Sequence, residues 1–431
     1  MIRALLILAL PLFLAGCGGG GGDPMAQTGP NPTLPAINQY LMPPMHVAGV
    51  APWDGAKPVV AAGLTIDAFA DGLKNVRTIT VLPNGDILAV EPKAPSEPIT
   101  RPKDIIVNFV QGFGHSKVKG GDQITLLRDA DGDGKPELRT VLLDHLHAPF
   151  GVVLVGGDLY VANTDAIVRY PYAAGQTKIT EPGTVLTELP GGPIDHHWTK
   201  SLVASPDGTK LYVGIGSNSN ITENGIEAEK DRAMIWEVDR ATGAHRQFAT
   251  GLRNPNGLSF EPTRQALWTV VNERDELGPD LVPDYMTSVK DGAFYGWPYS
   301  YWGQHVDPRV KPERPDLVAR AILPDYSLSS HVAPLAMAFS RAGALPARFT
   351  QGAFVGEHGS WNRGHLNGYK VVFVPFANGR PIGKPIDAVT GFIDADGKAR
   401  GRPVGVALDR TGALLVADDA GNTIWRVRAA S

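Results

Sequence analysis

The chain has 431 residues, a formal net charge of −4 and 43% hydrophobic residues. That is enough apolar material for a folded core, and without a net basic field there is nothing to draw in nucleic acid or an anionic lipid surface by charge. A single cysteine excludes an internal disulfide, so stability has to come from packing.

At the N-terminus Arg3 precedes an apolar stretch, Ala4 to Ala15, that is too short to cross a bilayer as a stable helix. It ends in Leu14-Ala15-Gly16-Cys17, the pattern of a bacterial lipobox. The expected processing removes residues 1–16 as a lipoprotein signal peptide and attaches lipid to Cys17. A plain secretory signal with an incidental cysteine is the competing reading, and Cys17, as the sole cysteine placed at the cleavage point, speaks for lipidation. The protein is then expected in the bacterial cell envelope, facing the periplasm and held to the membrane by its lipid alone. Gly18 follows the cysteine in place of an acidic inner-membrane retention signal, which favours the outer membrane. Gly18–Gly22 and the Pro-rich stretch behind it make residues 17–55 a flexible tether grading into a stiffer spacer.

From residue 56 onward a unit of apolar strand, tight polar turn and apolar strand recurs. Its copies are Val76–Glu91, Pro149–Asp165, Thr199–Ser217, Asn254–Glu273, Pro334–Gly359 and Pro403–Ala420. The 50 Gly and 36 Pro lie largely at turns, and no long segment has helical period. A hairpin cannot bury both of its faces alone, so six such units predict an all-β fold, a six-bladed β-propeller over residues 56–431 in which each blade completes its neighbour.

Binding sites of propellers form where loops from all blades converge at one mouth of the axis. The second strand of most copies ends in a polar residue (Glu91, Asn163, Asn272 and Glu273, Glu357, Asp418), which predicts a polar ring there or, more plainly, the preference of such residues for turns. In the first blade, Asp129, Asp131 and Asp133 with Gly134 begin like an EF-hand loop, but Thr140 stands where a closing Glu belongs. The loop is a candidate structural calcium site or an Asp-Gly turn. Asp195-His196-His197-Trp198 precedes the third copy; adjacent histidines at a mouth suit a base or metal ligand, and equally packing with one solvated ring. Arg253-Asn254 before the fourth copy offers a planar cationic fork on a Pro turn, or a decorated β-turn. The acidic loop Asn272–Asp280 has the carboxylates and bent carbonyls that calcium prefers.

Taken in order, NVRTITVLPNGDILAVE, LRDADGDGKPE, APFGVVLVGGDLYVANTD, HHWTKSLVASPDG, GLRNPNGLSF, NERDELGPDLVPDY, YGWP, GSWNRG and GRPVGVALDRTGALLVADD resemble the soluble pyrroloquinoline quinone (PQQ)-dependent sugar dehydrogenases. The resemblance runs from about residue 60 to the end and is strongest to the L-sorbosone dehydrogenase-like branch beside the aldose (glucose) dehydrogenases. It implies an oxidoreductase with PQQ and calcium as cofactors, acting on a small sugar and passing electrons to a periplasmic acceptor. It implies His197 as general base, and Arg253, Asn254, Arg402 and Arg363 as cofactor contacts, with Arg363 replacing a family lysine. It also implies cofactor calcium on the backbone carbonyls of Asp275 and Glu276, and leaves His196 and His331 without a role. Two other classes compete: a calcium-dependent sugar lactonase, whose mouth would also use strand-end acids, and a non-enzymatic binding propeller.

Overall fold

The computed structural model describes residues 23–40, 44–96 and 118–430, with single positions between 97 and 117. The expected signal peptide and Cys17 lie outside the described residues. No described helix is long and apolar enough to cross a membrane.

Each of the six sequence repeats forms the two innermost strands of one antiparallel sheet, and six such sheets form the propeller blades. The inner hairpins are Thr78–Val81 with Ile87–Glu91, Gly151–Val155 with Asp158–Ala162, and Leu202–Ala204 with Lys210–Ile215. The others are Pro255–Phe260 with Leu267–Val271, Pro334–Phe339 with Gly352–Glu357, and Pro403–Leu408 with Leu414–Asp418. The apolar residues of these strands fall into clusters that straddle successive blades. Leu88 and Ile124 of the first blade, for example, share a cluster with Val152 and Val161 of the second. Trp268 and Met286 of the fourth share one with Val355 and Val372 of the fifth. No blade therefore owns its core, which is the physical reason the repeats form one closed ring.

Close to the axis the blades converge, and glycine makes the approach possible. A Cβ on Gly356 would stand 2.3 Å from the carbonyl oxygen of Val404 in the next blade, and one on Gly214 would stand 2.5 Å from that of Pro255.

The ring closes by joining the chain's two ends. Leu64–Ala70 pairs with the last strand, Thr423–Ala429, as the outer strand of the sixth blade. Upstream of it the chain departs from the expected tether. Thr28–Gly29 adds an edge strand to the fourth blade on Tyr326–Ser330, and Val59–Val60 adds one to the fifth on Ile386–Thr390. Between them the Asn38 amide donates to Leu277 O at 2.9 Å and the His46 amide to Trp361 O at 2.9 Å. Gln27 is buried against Ser329 and Ser330. From residue 23 the Pro-rich segment is thus a strap bound around the rim, because its backbone groups and Gln27 find partners on the blades.

The second strand of every blade runs toward the same face, which carries the mouth. In the first blade Glu91 pairs with Gln123 at that end and Ile87 with Leu127 at the other, so the turn after Arg128 falls on the far face.

Candidate functional site at the propeller mouth

A cavity of about 140 Å³ opens at the mouth, lined by His196, His197, Arg253, Asn254, Asp275, Asp284, His331 and Asn362 among others. Except for Asp284, which lies in the third strand of the fourth blade, Pro283–Ser288, these residues come from the loops that lead into or out of inner strands of blades three, four and five. The structure therefore brings together His197, Arg253, Asn254 and Asp275, which lie apart in sequence.

His197 sits on the loop entering Leu202–Ala204, and that loop is clamped from below. The fully buried Lys200 donates to the carbonyls of Trp198 at 3.0 Å and His197 at 3.4 Å and to Asp195 at 3.3 Å. Asp195 is also held by Arg232 at 2.5 Å and by the Thr164 hydroxyl at 2.7 Å. Burial lowers the Lys200 ammonium to about 8 against the attraction of Asp195. The His197 ring points Nδ1 at Ser217 O, 2.9 Å away, and at Ser217 Oγ, 3.0 Å away. Both act as acceptors, since the Ser217 hydroxyl donates its proton to Ser219 O at 2.6 Å. Nδ1 therefore carries the hydrogen and Nε2 keeps its lone pair. Burial, then Arg253 and His196, hold the imidazolium form well below its ordinary range, so the ring is a neutral base.

Arg253 is buried and gives four of its five N–H groups to protein: Nε to Asn220 O, Nη1 to Asn272 O and Glu273 O, and Nη2 to Asn220 Oδ1. Its remaining Nη2 hydrogen faces the site, with Asp275 Oδ2 at 3.7 Å. Asn254 Oδ1 and Asn362 Oδ1 are buried and have no hydrogen-bond partner. On the opposite wall, Asp275 lies 3.4 Å from His331 Nδ1 and accepts from Asn362 Nδ2 at 2.6 Å. Burial works against a charged His331, but the hydrogen bond and charge of Asp275, with Asp284, raise its pKa. Asp284 accepts the amides of Glu273 at 2.7 Å and Ala333 at 2.8 Å, yet burial still pushes its carboxyl up to about 7. The cavity thus has a neutral basic wall at His197 and a proton-holding wall at His331 and Asp284.

The other expected residues fall as follows. Arg402 lies beside the mouth and uses three of its five N–H groups on the carbonyls of His358, Gly114 and Gly359, the last of which lines the cavity. Arg363 does not line it: its guanidinium is bound to Asp280 and to Ser330 beneath the strap. The expected calcium carbonyls also face protein donors. Asp275 O accepts from Arg309 Nη1 at 2.9 Å, and Glu276 O faces Gln39 Nε2 at 3.5 Å. The Asp275 carboxylate, not its carbonyl, reaches the cavity, and Glu276 lies outside it toward Tyr40. Asp129, Asp131, Asp133 and Glu137 do converge, with ligand oxygens within 4.8 Å of one another, on the face opposite the mouth.

Sequence reasoning passed over Asn362, one position before Arg363 in GSWNRG, and Asn220, which braces Arg253. It also missed Arg77, which pairs with Asp419 at 2.6 Å beside His358. The polar strand ends are real in phase but mostly structural. Asp418 accepts from the Trp53 indole at 2.8 Å and from the amides of Arg402 and Gly421, and Glu91 is closed by the Lys74 amide, Gln123 and Thr125.

Among solved structures the fold is similar to the holo PQQ domain of a pyranose dehydrogenase from Coprinopsis cinerea, with a TM-score of 0.69 and 20% identity over 86% of this chain and 97% of that one. It is also similar to the calcium structure of a Trichoderma reesei carbohydrate-active enzyme of family AA12, with a TM-score of 0.69 and 19% identity over 92% of this chain and 100% of that one. In sequence, the aldose sugar dehydrogenase YliI of Escherichia coli (strain K12) is 27% identical over 198 residues, 42% of this chain and half the length of that relative. The pattern of the TrAA12-like family matches residues 123–291 and 316–430, more than half of the chain and both sides of the mouth, and the chain belongs to that family.

Proposed function

We propose that the protein is a quinoprotein oxidoreductase that oxidises an aldose or sorbosone-type sugar at its hemiacetal or aldehyde carbon. The observation that carries this reading is His197, a half-buried neutral imidazole with its Nε2 lone pair free at a cavity flanked by two arginines. A base of this kind removes the proton of the sugar hydroxyl at Nε2 while Nδ1 stays fixed on Ser217 O.

The residues present suit the cofactors of the related enzymes. Arg253 and Arg402 each keep at least one N–H for a cofactor carboxylate. The partnerless oxygens of Asn254 and Asn362, with the Asp275 carboxylate, are the hard donors a calcium ion takes. When bound, PQQ accepts the two electrons and calcium polarises it as a Lewis acid. The chain orients the sugar, holds the proton at His197 and keeps opposing charge on Arg253 and Asp275. The electrons then leave to a periplasmic acceptor, consistent with a lipid anchor on Cys17; replacing Cys17 with Ala and fractionating cells tests that anchor, and unchanged membrane retention would remove it.

The deciding experiment adds PQQ and calcium to purified protein and follows dye reduction over a panel of aldoses and sorbosone. Quinone-dependent reduction is expected. Hydrolysis of a sugar lactone without quinone would support the lactonase reading, and neither activity would leave a binding propeller.

A further inference from the structure

A cavity larger than the mouth lies elsewhere among the described residues. A cleft of about 600 Å³ runs between the strap at Val50–Lys57 and the sixth blade's loop at Ala420–Thr423. Its size falls in the range of small-molecule sites, about 300–1,000 Å³. We propose that this cleft binds the non-reacting rings of a neutral linear oligosaccharide whose terminal sugar sits at the mouth. This rests on the sugar oxidoreductase reading and extends it to the substrate class.

Four observations support the assignment. The wall carries the part-exposed indole of Trp53, braced edge-on by Trp425 at 5.1 Å and Phe392 at 5.7 Å and fixed by its Nε1 bond to Asp418. A braced ring offers a flat apolar surface at little cost in conformational entropy, which suits the C–H face of a pyranose. Much of the rest of the lining is small (Ala56, Ala68, Gly421), so a flat ring can lie close to backbone. Lys57, whose ammonium binds Asp67 at 2.7 Å, Asp71 and Asn422 place hydrogen-bonding groups in the lining, and one cation with one anion there favours a neutral polyhydroxylated ligand over an ionic one. Finally, a chain of bonds joins the aromatic wall of the cleft to the lining of the mouth. Asp418, which holds Trp53 with Oδ2, accepts the Arg402 amide with Oδ1, and Arg402 in turn binds the carbonyl of Gly359 in the mouth lining.

The test is calorimetric titration of the full chain, without turnover, with maltohexaose, cellohexaose and xylohexaose, against glucose and xylose. At least one hexasaccharide is expected to bind ten-fold or more tighter than its monosaccharide. Ala56→Trp fills the cleft while removing no side-chain bond, and should abolish that difference. If this variant does not fold, the exposed pair Lys57→Ala and Asp71→Ala should weaken hexasaccharide binding several-fold. Absence of hexasaccharide binding, or equal binding to Ala56→Trp or, in its stead, to the rim pair, would overturn the proposal. Because binding is read without cofactor, hexasaccharide affinity in a protein that never reduces dye would uphold the cleft while defeating the oxidoreductase reading.

Discussion

Two acid-rich regions on opposite faces of the propeller use the same residue types to different ends. In the loop from Asp129 to Glu137 the carboxylates are exposed or half-buried and are spent on the loop's own amides: Asp129 accepts from Gly132 and Gly134, Asp131 from Asp133, and Asp133 from Lys135. At the mouth, Asp284 is buried, its carboxyl held up near 7, and two amide oxygens beside it have no partner. The comparison teaches that acid content does not mark the reactive site. Buried, unsatisfied acceptors gathered around one cavity do, since their desolvation is uncompensated unless a ligand meets them.

The largest effect should come from the mouth. Replacing His197 with Ala is expected to lower reconstituted turnover by about two to four orders of magnitude, the usual worth of a positioned base. PQQ affinity should largely survive, because Arg253 and Arg402 are untouched. His196 is exposed and should matter less. Near-normal turnover in the His197 variant, with loss in the His196 variant, would move the base by one position.

Metal removal sharpens the comparison directly. Chelation should abolish PQQ-dependent turnover, and calcium should restore it. The double variant Asp129→Asn, Asp131→Asn should keep turnover and lose only the far loop's share of the calcium-dependent gain in Tm, since a ligand of the folded state stabilises by mass action. Loss of turnover in that variant would assign the essential ion to the far face.

The clamp under His197 should give a smaller effect. Lys200→Met leaves Asp195 paired with Arg232 but takes the donor from the His197 and Trp198 carbonyls. A loss of about 1–3 kcal/mol in stability is expected from the unmet carbonyls, with turnover reduced by roughly ten-fold through a looser base. Unchanged turnover at unchanged PQQ affinity would show that the loop holds its shape without the lysine.

How far these features can be read from sequence follows from what each depends on. All six inner hairpins are legible because their second strands are largely buried apolar runs and their turns are punctuated by Gly and Pro. The outer strands are not: His245–Thr250 is mostly exposed, and Thr184–Glu188 carries no apolar run. The strap was misread as a tether because Pro and Gly composition does not reveal that Gln27 finds Ser329 and Ser330 some 300 residues away. His197, Arg253 and Asn254 could be placed because they directly flank inner strands whose register was known. Asp275, Glu276 and Arg363 sit in long loops, where one residue of slip exchanges a carbonyl for a carboxylate or Asn362 for Arg363.

The smallest effect distinguishes burial from bonding at the rim itself. Glu357 is buried at the end of its strand with Oε2 unpartnered, and burial raises its carboxyl to about 8, partly offset by Lys370. Between its unfolded value of 4.5 and about 8, the folded protein keeps a proton that the unfolded chain has released. The Glu357 contribution to stability is therefore greatest below that window, falls as pH rises through it, and is constant above. Glu357→Gln is neutral and nearly isosteric, so it should remove this slope and leave the variant more stable than the native chain at pH 8. The expected gap is at least about 1 kcal/mol, or about 2 °C or more in Tm. Thermal unfolding of both proteins from pH 5 to 8.5 reads it, and parallel curves would mean that Glu357 is solvated or bonded in solution and that an unpartnered oxygen at this rim is not by itself costly.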